Sequence, residues 1–335
     1  MASPATLAPA RASSWVDTLG GVVRESKRIV AAHTRHFLAL SVLFLLPLSL
    51  LLVAAPPLFA TPLLRPDPLL PPHETLLRGT AGGPLSAFLA CACAAAAAAL
   101  LALCAAAVIT HSVRDGFFGR PVRVAAALRS LSSSLWRLLL TSLSAAVVLA
   151  AYAAIITSIF LLCLHVLPFL GFHEGHLDPT VFATAAAAVM VLGAVYLQVN
   201  WALAGVVAVA ESNWGFDPLR RSAHLVKGMR WGVLCLILFF SVATGLVLWS
   251  AERGWASAVE DWPGAAPVVT LMVWTSAVTV VILLYSLVST TVLYIYCKAL
   301  HGELAGEIAE EFAREYVCLP FDDRKVPHIV SVIWQ

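Results

Sequence analysis

Six long apolar runs constrain the fold of this chain more than any other feature of its sequence. They cover about residues 37–60, 85–110, 138–166, 180–210, 231–250 and 268–297. Each run reaches the roughly 20 apolar residues that a helix needs to cross a bilayer. Because unpaired peptide groups are costly in hydrocarbon, each run is expected to be helical. The sequence therefore predicts an all-α fold, a polytopic transmembrane helical bundle of about six spans.

Composition agrees with a chain whose main solvent is lipid. Of its 335 residues, 60% are hydrophobic and 12% are charged, whereas soluble domains carry about 25% charged residues. The formal net charge is only +2, which leaves no basic excess for binding nucleic acid. We therefore expect the lipid bilayer to be the main partner, and we expect no nucleic-acid partner.

The positions of the lysines and arginines predict the orientation of the spans. Eighteen of the 21 lie in the N-terminal segment, the second-to-third connection, the fourth-to-fifth connection and the C-terminal tail. The other connections hold only Arg65, Arg78 and Arg253. Since basic connections stay on the cytosolic side, both termini are predicted to be cytosolic. The sequence leaves open whether this multi-pass protein resides in an endomembrane or in the plasma membrane.

This orientation divides the chain into three parts. They are a cytosolic N-terminal segment with an amphipathic helix (1–36), a six-span membrane domain (37–297) and a cytosolic acidic helical tail (298–335).

Three cytosolic segments have the pattern of basic amphipathic helices. One follows Pro121, where Val124, Leu128, Leu131 and Leu135 share a helical face. The plan repeats over 217–231, and a weaker copy lies within 15–32. Such helices lie in the headgroup plane and favour anionic lipid, although short connectors that merely obey the positive-inside rule would look similar. The predicted lipid-facing basic residues are Arg120, Arg123, Arg129, Arg220, Arg221 and Lys227.

The C-terminal tail carries the opposite charge. Leu304, Ile308 and Phe312 recur every four residues, and glutamates surround them at positions 303, 307, 310 and 311. An acidic helix is not attracted to an anionic leaflet. We therefore expect the tail to pack on the chain's own basic cytosolic face or on an unknown protein partner.

Cys297 ends the sixth apolar run and directly precedes Lys298. A juxtamembrane cysteine is a candidate for reversible palmitoylation. The alternative is a small buried side chain, which is the more common structural use of cysteine.

Polar residues inside the apolar runs are few. None of the six runs contains Asp, Glu, Lys or Arg, which disfavours an ion-coupled transporter or a proton pump. Gln198 and Asn200 form the strongest polar pair, and Ser286 and Thr290 belong to a polar stripe on the last run. These four residues indicate either hydrogen bonding between helices or a polar path for a solute.

The sequence gives no support for a catalytic or cofactor site. His173 and His176, in an outer turn with two carboxylates, are candidate zinc ligands, but their spacing matches no established metal motif. No phosphate-binding loop, nucleophile elbow or dinucleotide-binding glycine pattern occurs. We therefore predict no metal, no cofactor and no enzymatic activity.

The stretch 206–231, VVAVAESNWGFDPLRRSAHLVKGMRW, resembles a recurring segment of bacterial multi-pass proteins. These are similar to the membrane domain attached to some glycerophosphodiester phosphodiesterases. Glu211, Arg221, Ser222 and Leu225 are the matching positions. The phosphodiesterase domain has no counterpart in this chain, so the resemblance does not imply that activity.

Over its whole length the chain resembles a plant-type family of uncharacterised six-span membrane proteins. The segments 296–302 and 318–321 carry this likeness. The resemblance implies residence in a membrane and no assigned reaction.

Two classes of function are the leading interpretations of these patterns; a third, an enzyme acting at the outer face, rests only on the His173 cluster. The first is a non-enzymatic organiser of lipid or partner proteins at the cytosolic face. The alternative is a transporter or channel for a neutral or amphiphilic solute. A continuous polar cavity near the bilayer midplane favours a transporter, whereas a packed apolar bundle favours an organiser.

Overall fold

The computed structural model describes residues 15–54, 84–119, 124–169, 179–261, 266–306 and 308. Throughout these ranges the regular structure is helical, and no strand occurs in them. Six helical stretches are long and apolar enough to cross a membrane. They are Thr34–Ala54, Phe88–Phe117, Ala127–Cys163, Ala183–Ala210, Arg230–Gly254 and Val268–Leu300. The predicted all-α bundle and its number of spans are thus confirmed.

The helices are numbered here in chain order. They are α1 (Trp15–Ala32), α2 (Thr34–Leu40), a π-helical turn (Ser41–Leu45), α3 (46–54), α4 (Pro84–Phe117), α5 (Val124–Phe169), α6 (Pro179–Trp201), α7 (Ala204–Ala210), α8 (Asp217–Leu225), α9 (Arg230–Asp261) and α10 (Ala266–Leu300). The first span consists of α2, the π-helical turn and α3. The fourth span consists of α6 and α7, and α8 lies in the connection that follows it.

The segments that carry most of the basic residues meet at one end of the bundle, which we call the basic end. Helix α1 packs on α9 and α10 there. Arg114, near the end of α4, donates to the carbonyl of Ala210 at 3.0 Å. Arg221 of α8 pairs with Glu303, just beyond α10. The alternation of basic residues along the sequence therefore corresponds to a real clustering in the fold.

Helices α1 and α8 bury their apolar faces against the bundle. Val22 and Ile29 of α1 are buried, as are Leu219 and Leu225 of α8. These faces contact protein instead of lipid, because α1 packs mainly on α9 and α10 and α8 packs mainly on α6 and α7. The basic residues on the opposite faces are exposed, namely Arg24, Lys27 and Arg28 of α1 and Arg220 of α8, and Lys227 is exposed in the turn that follows α8.

The helix predicted after Pro121 is not a separate element. Helix α5 runs unbroken for 46 residues from Val124, because no glycine or proline interrupts it before Pro168. Its buried positions near the basic end include Ala127, Ser134 and Leu138. Leu128, on the predicted apolar face, is instead 37% exposed.

The fourth span is broken close to the basic end. Helix α6 ends at Trp201, a turn follows at Ala202 and Leu203, and α7 begins at Ala204. No proline lies in the apolar run 180–210, so the usual cause of a sharp kink is absent. The sequence predicts one long helix here, and the break is a feature that only the tertiary structure explains.

Candidate functional site

One buried hydroxyl satisfies the backbone at the break in the fourth span. The Ser222 hydroxyl, on α8, donates to the carbonyl of Asn200 at 2.7 Å and accepts from the amide of Leu203 at 3.2 Å. Ser222 and Leu203 are fully buried. The Asn200 side chain donates to the carbonyl of Tyr196 at 2.8 Å. Irregular backbone at membrane depth requires such partners, so α8 supports the break directly.

A cavity of about 320 Å³ lies beside the break, and we call it the break cavity. Ligand pockets range from about 300 to 1,000 Å³, so it is large enough for a small ligand. None of the described lining residues is charged. The lining comprises Leu103, Leu138, Thr141, Ser142, Ala145, Gln198, Trp201, Ala202, Ala204, Gly205, Leu219, Val233, Leu236, Ile237, Thr290 and Leu293.

The break cavity brings together half of the predicted polar path. Gln198 and Thr290 line it, whereas Asn200 and Ser286 do not. The Thr290 hydroxyl donates to the backbone carbonyl of Ser286, within the same helix, at 2.8 Å. Thr290 and Asn200 therefore donate to backbone carbonyls of their own helices, as expected if these residues serve hydrogen bonding and not a polar path. Gln198, by contrast, is a polar group of the cavity lining.

A second polar cluster, the Glu211 cluster, comprises Glu211, Arg221, Tyr294 and Glu303. The Arg221 Nε lies 3.3 and 3.4 Å from the two carboxylate oxygens of Glu211, and another guanidinium nitrogen pairs with Glu303. The Tyr294 hydroxyl donates to Glu211 at 2.9 Å. One guanidinium thus connects the end of α7, helix α8 and the segment after α10.

The Glu211 cluster is partly shielded from solvent. The side chains of Arg221, Glu211 and Glu303 are 29%, 17% and 32% exposed. The hydrogen bond from Arg221 holds the pKa of the Glu303 carboxyl below its usual range, against the opposing effect of burial. The same hydrogen bond raises the pKa of Arg221. Both groups are therefore charged at neutral pH, and the contact is a charge-assisted hydrogen bond.

We expect the contact between Arg221 and Glu303 to be lost only in acid. Since folding lowers the pKa of Glu303, its contribution to stability is complete above the ordinary glutamate pKa and disappears as the pH falls through the lowered value. Hydrogen exchange of residues 301–306, corrected for the intrinsic rate, should therefore stay constant from about pH 7 to pH 5 and rise below that. Glu303→Gln should remove this part of the pH dependence. A rise in exchange that begins near pH 6 would contradict the assignment.

The other predicted site residues have separate outcomes. Arg129, Arg220 and Lys227 are exposed. Arg221 is a correction to the predicted outward set, because its guanidinium is held by two carboxylates of the protein itself. Cys297 is 0% exposed, so its thiol is not available for acylation in this conformation. Arg120, Arg123, His173 and His176 lie outside the described residues.

Within the ranges that the structure describes, no group of three or more His, Cys, Asp or Glu side chains is arranged to hold an ion.

Sequence reasoning missed the roles of Ser222, Glu211 and Tyr294. A signal existed for the ion pair, because Glu211 ends a span and Arg221 follows on the next helix. Ser222 was among the positions that carry the resemblance over 206–231, but its role had no signal, since a serine within a short connecting helix is unremarkable in sequence.

The bundle of six helices able to cross a membrane, with α1 and α8 seated on its basic end, defines an α-helical multi-span membrane protein. Residues 85–325 match the family described as a domain of unknown function, DUF8558. This match covers more than half of the chain, and the chain therefore belongs to that family. No curated protein and no solved structure matches the chain. The matched region includes the break cavity and the Glu211 cluster.

Proposed function

We propose that this protein is a non-enzymatic membrane protein that organises anionic lipid at the cytosolic face. One observation supports the proposal most directly. Helices α1 and α8 are fixed to the bundle by buried apolar faces, while Arg24, Lys27, Arg220 and Lys227 stay exposed. Cations held on a rigid surface lose little freedom when a headgroup binds, which favours association.

The proposal assigns the basic end to the cytosol, together with both termini. Short basic connections stay on the cytosolic side during insertion. The cytosolic leaflet is also the one that carries anionic lipids. The exposed cations are then at the level of headgroups of opposite charge, and the protein can gather such lipids around α1 and α8.

The acidic tail belongs to the same proposal, docked on the protein's own basic face. The contact of Glu303 with Arg221 and the packing of Leu304 against the core cluster support this docking. Exposed ion pairs contribute only about 0–1 kcal/mol each, so the apolar side of the tail must supply most of the binding. An unknown protein partner is the alternative for the remainder of the tail.

The local likeness to bacterial membrane domains has a physical interpretation under this proposal. Of the four matching positions, Glu211 and Arg221 form an ion pair, Ser222 supports the helix break, and Leu225 is buried. We infer that the shared pattern encodes a short connecting helix that packs against the end of the preceding span. The likeness to a plant-type six-span family remains a prediction.

The anionic-lipid proposal is tested by lipid enrichment. Purified protein is exchanged into nanodiscs that contain phosphatidylcholine and a small fraction of phosphatidylserine, and its bound lipids are counted by native mass spectrometry. Since each cation near such a surface contributes about 1 kcal/mol, the double variant Arg220→Gln, Lys227→Gln should bind phosphatidylserine roughly 30-fold less tightly. High salt should weaken binding to the wild type.

The matched control removes two cations from the opposite connection, Arg65→Gln and Arg78→Gln. This double variant should retain the lipid enrichment of the wild type. Equal losses in the two double variants, or enrichment that is insensitive to salt, would contradict the proposal.

The alternative of a transporter or channel for a neutral or amphiphilic solute has one observation in its favour, the break cavity with Gln198 and Thr290 in its lining. Directional uptake of a solute by the protein in sealed vesicles would establish that alternative.

A further inference from the structure

The break cavity has a lining that is apolar and uncharged. Leucines from five elements contribute to it, namely Leu103 of α4, Leu138 of α5, Leu219 of α8, Leu236 of α9 and Leu293 of α10. A charged group placed among them would lose its hydration without gaining an opposite charge. The lining therefore fits a ligand, or a part of a ligand, that is apolar and uncharged.

Most polar side chains of the cavity are already engaged. The hydroxyls of Thr141, Ser142 and Thr290 donate to carbonyls of their own helices at 2.8–2.9 Å. Gln198 and Trp201 differ, because neither side chain makes a hydrogen bond within the part of the chain that the structure describes. Three residues apart on the last turn of α6, they lie on the same helical face.

These two side chains define what the ligand must offer. A glutamine amide both donates and accepts a hydrogen bond, and an indole N–H only donates. In the hydrocarbon region a polar side chain without a partner is unfavourable. A hydroxyl or ester oxygen between Gln198 and Trp201 would satisfy both groups without bringing a charge into the cavity.

The position of the cavity suits an amphiphile from the surrounding leaflet. Thr141 lies four residues beyond Arg137, which is about 6 Å along the helix axis, so the cavity lies just inside the basic end. Ser142 and Gln198 are exposed at its margin. A ligand can therefore enter sideways from the leaflet and keep its polar group near the headgroups.

We propose that the break cavity is a binding site for a neutral amphiphile, a molecule with an aliphatic chain and an uncharged hydroxyl or ester headgroup of the monoacylglycerol type. Gln198 and Trp201 bind the headgroup oxygens, and the leucine-rich lining contacts the chain. This site is separate from the exposed cations of α1 and α8, and its occupant is distinguished from anionic lipid by its lack of charge.

Photo-crosslinking with a monoacylglycerol analogue that carries a diazirine in its acyl chain tests the site in the full-length protein. Gly205→Leu fills the cavity, because Gly205 lines it and a Cβ there meets only a Leu138 methyl at 3.8 Å. Gly245→Leu is the matched control, since Gly245 has open space around it and does not line the cavity. We expect Gly205→Leu to reduce labelling at least tenfold and Gly245→Leu to leave it unchanged.

A second variant keeps the test decisive if the filled cavity destabilises the protein. Gln198→Leu alters an exposed side chain and should weaken competition by unlabelled monooleoylglycerol roughly tenfold. Oleoyl phosphate, which has the same chain and a charged headgroup, should compete poorly with the probe. The double variant Arg220→Gln, Lys227→Gln should label like the wild type, which separates this site from the proposed binding of anionic lipid.

Labelling of Gln198→Leu at the level of the wild type, or equal competition by the charged analogue, would overturn the assignment. So would crosslinks that map away from the segments that line the cavity, which are residues 138–145, 198–205, 233–237 and 290–293 together with Leu103 and Leu219.

Discussion

Arg221→Met should destabilise the protein and expose the inner end of α10, whereas Arg220→Met should do neither. The two arginines are adjacent on α8, but among the residues that the structure describes only Arg221 contacts carboxylates. Its removal leaves Glu211 and Glu303 without their cation while both remain partly shielded. Hydrogen bonds to charged groups contribute about 1.5–3 kcal/mol each. We expect a loss of roughly 2–3 kcal/mol in the free energy of unfolding.

Cys297 provides a sensitive reporter for this experiment. Its thiol is fully buried within the core cluster, and Glu303 follows it by six residues. In a background where it is the sole cysteine, a membrane-permeant maleimide should react slowly with the wild type and with Arg220→Met. Arg221→Met should accelerate this reaction at least tenfold, because the ion pair between Arg221 and Glu303 no longer holds α8 against the segment after α10.

The two carboxylates can be separated by further variants. Glu211→Gln should lower the free energy of unfolding more than Glu303→Gln does, because Glu211 is less exposed and also accepts a hydrogen bond from Tyr294. A double-mutant cycle between positions 211 and 221 gives the coupling energy directly. Equal reactivity of Cys297 in the two arginine variants would show that the Glu211 cluster does not hold this end of the bundle together.

This reporter also bears on the predicted palmitoylation of Cys297. An acyltransferase requires an accessible thiolate, and the wild-type structure does not offer one. If α8 must loosen before Cys297 reacts, acylation would depend on the state of the Glu211 cluster.

The number of spans was predictable because bilayer thickness fixes the length of an apolar run that can cross it. The clustering of basic segments at one end was predictable for a related reason, since charges cannot rest within the hydrocarbon and must alternate with the spans. Both properties depend on composition along the chain. Neither requires knowledge of which helix contacts which.

The direction of individual side chains on α8 was harder to predict. Arg220 and Arg221 have the same charge and occupy one short helix, yet only Arg220 faces outward. The spacing did indicate the inward face, because Arg221 lies three residues after Pro218 and four before Leu225, and both of these are buried. The inward carboxylate that makes this position favourable for arginine comes from another element, which a pattern along one helix does not reveal.

The break between α6 and α7 was not predictable, because the run 180–210 reads as continuous apolar helix. Helix propensity is a weak preference that tertiary contacts routinely override. Here the contact is the Ser222 hydroxyl, which satisfies one carbonyl and one amide that the broken helix leaves unpaired.

Ser222→Ala should therefore be one of the most damaging conservative changes in this protein. It removes a single oxygen, but it leaves the Asn200 carbonyl and the Leu203 amide buried without partners. Each unsatisfied group costs about 1–3 kcal/mol, so two of them predict a loss of roughly 2–6 kcal/mol in the free energy of unfolding. The amide of Leu203 should also exchange with deuterium much faster than in the wild type.

Ser133→Ala is the matched control for this serine. Ser133 is exposed, and its hydroxyl only donates to the carbonyl of Ser130 in its own helix at 3.0 Å. Its removal should change the free energy of unfolding by less than about 0.5 kcal/mol. Ser222→Cys should be intermediate, because a thiol has nearly the same size but is a weak donor and acceptor.

The order serine, cysteine, alanine at position 222 distinguishes hydrogen bonding from packing. If packing alone mattered, cysteine would equal serine, and the Leu203 amide would stay protected in the alanine variant. If α6 and α7 instead joined into one helix when the hydroxyl was absent, Leu203 would regain an intrahelical partner and exchange slowly despite the substitution. Slow exchange at Leu203 in Ser222→Ala would therefore contradict the expected loss of protection. Retained labelling of the break cavity would then show that packing of α5, α9 and α10 holds the break, whereas lost labelling would show that α6 and α7 have joined and that the Ser222 hydroxyl maintains the break.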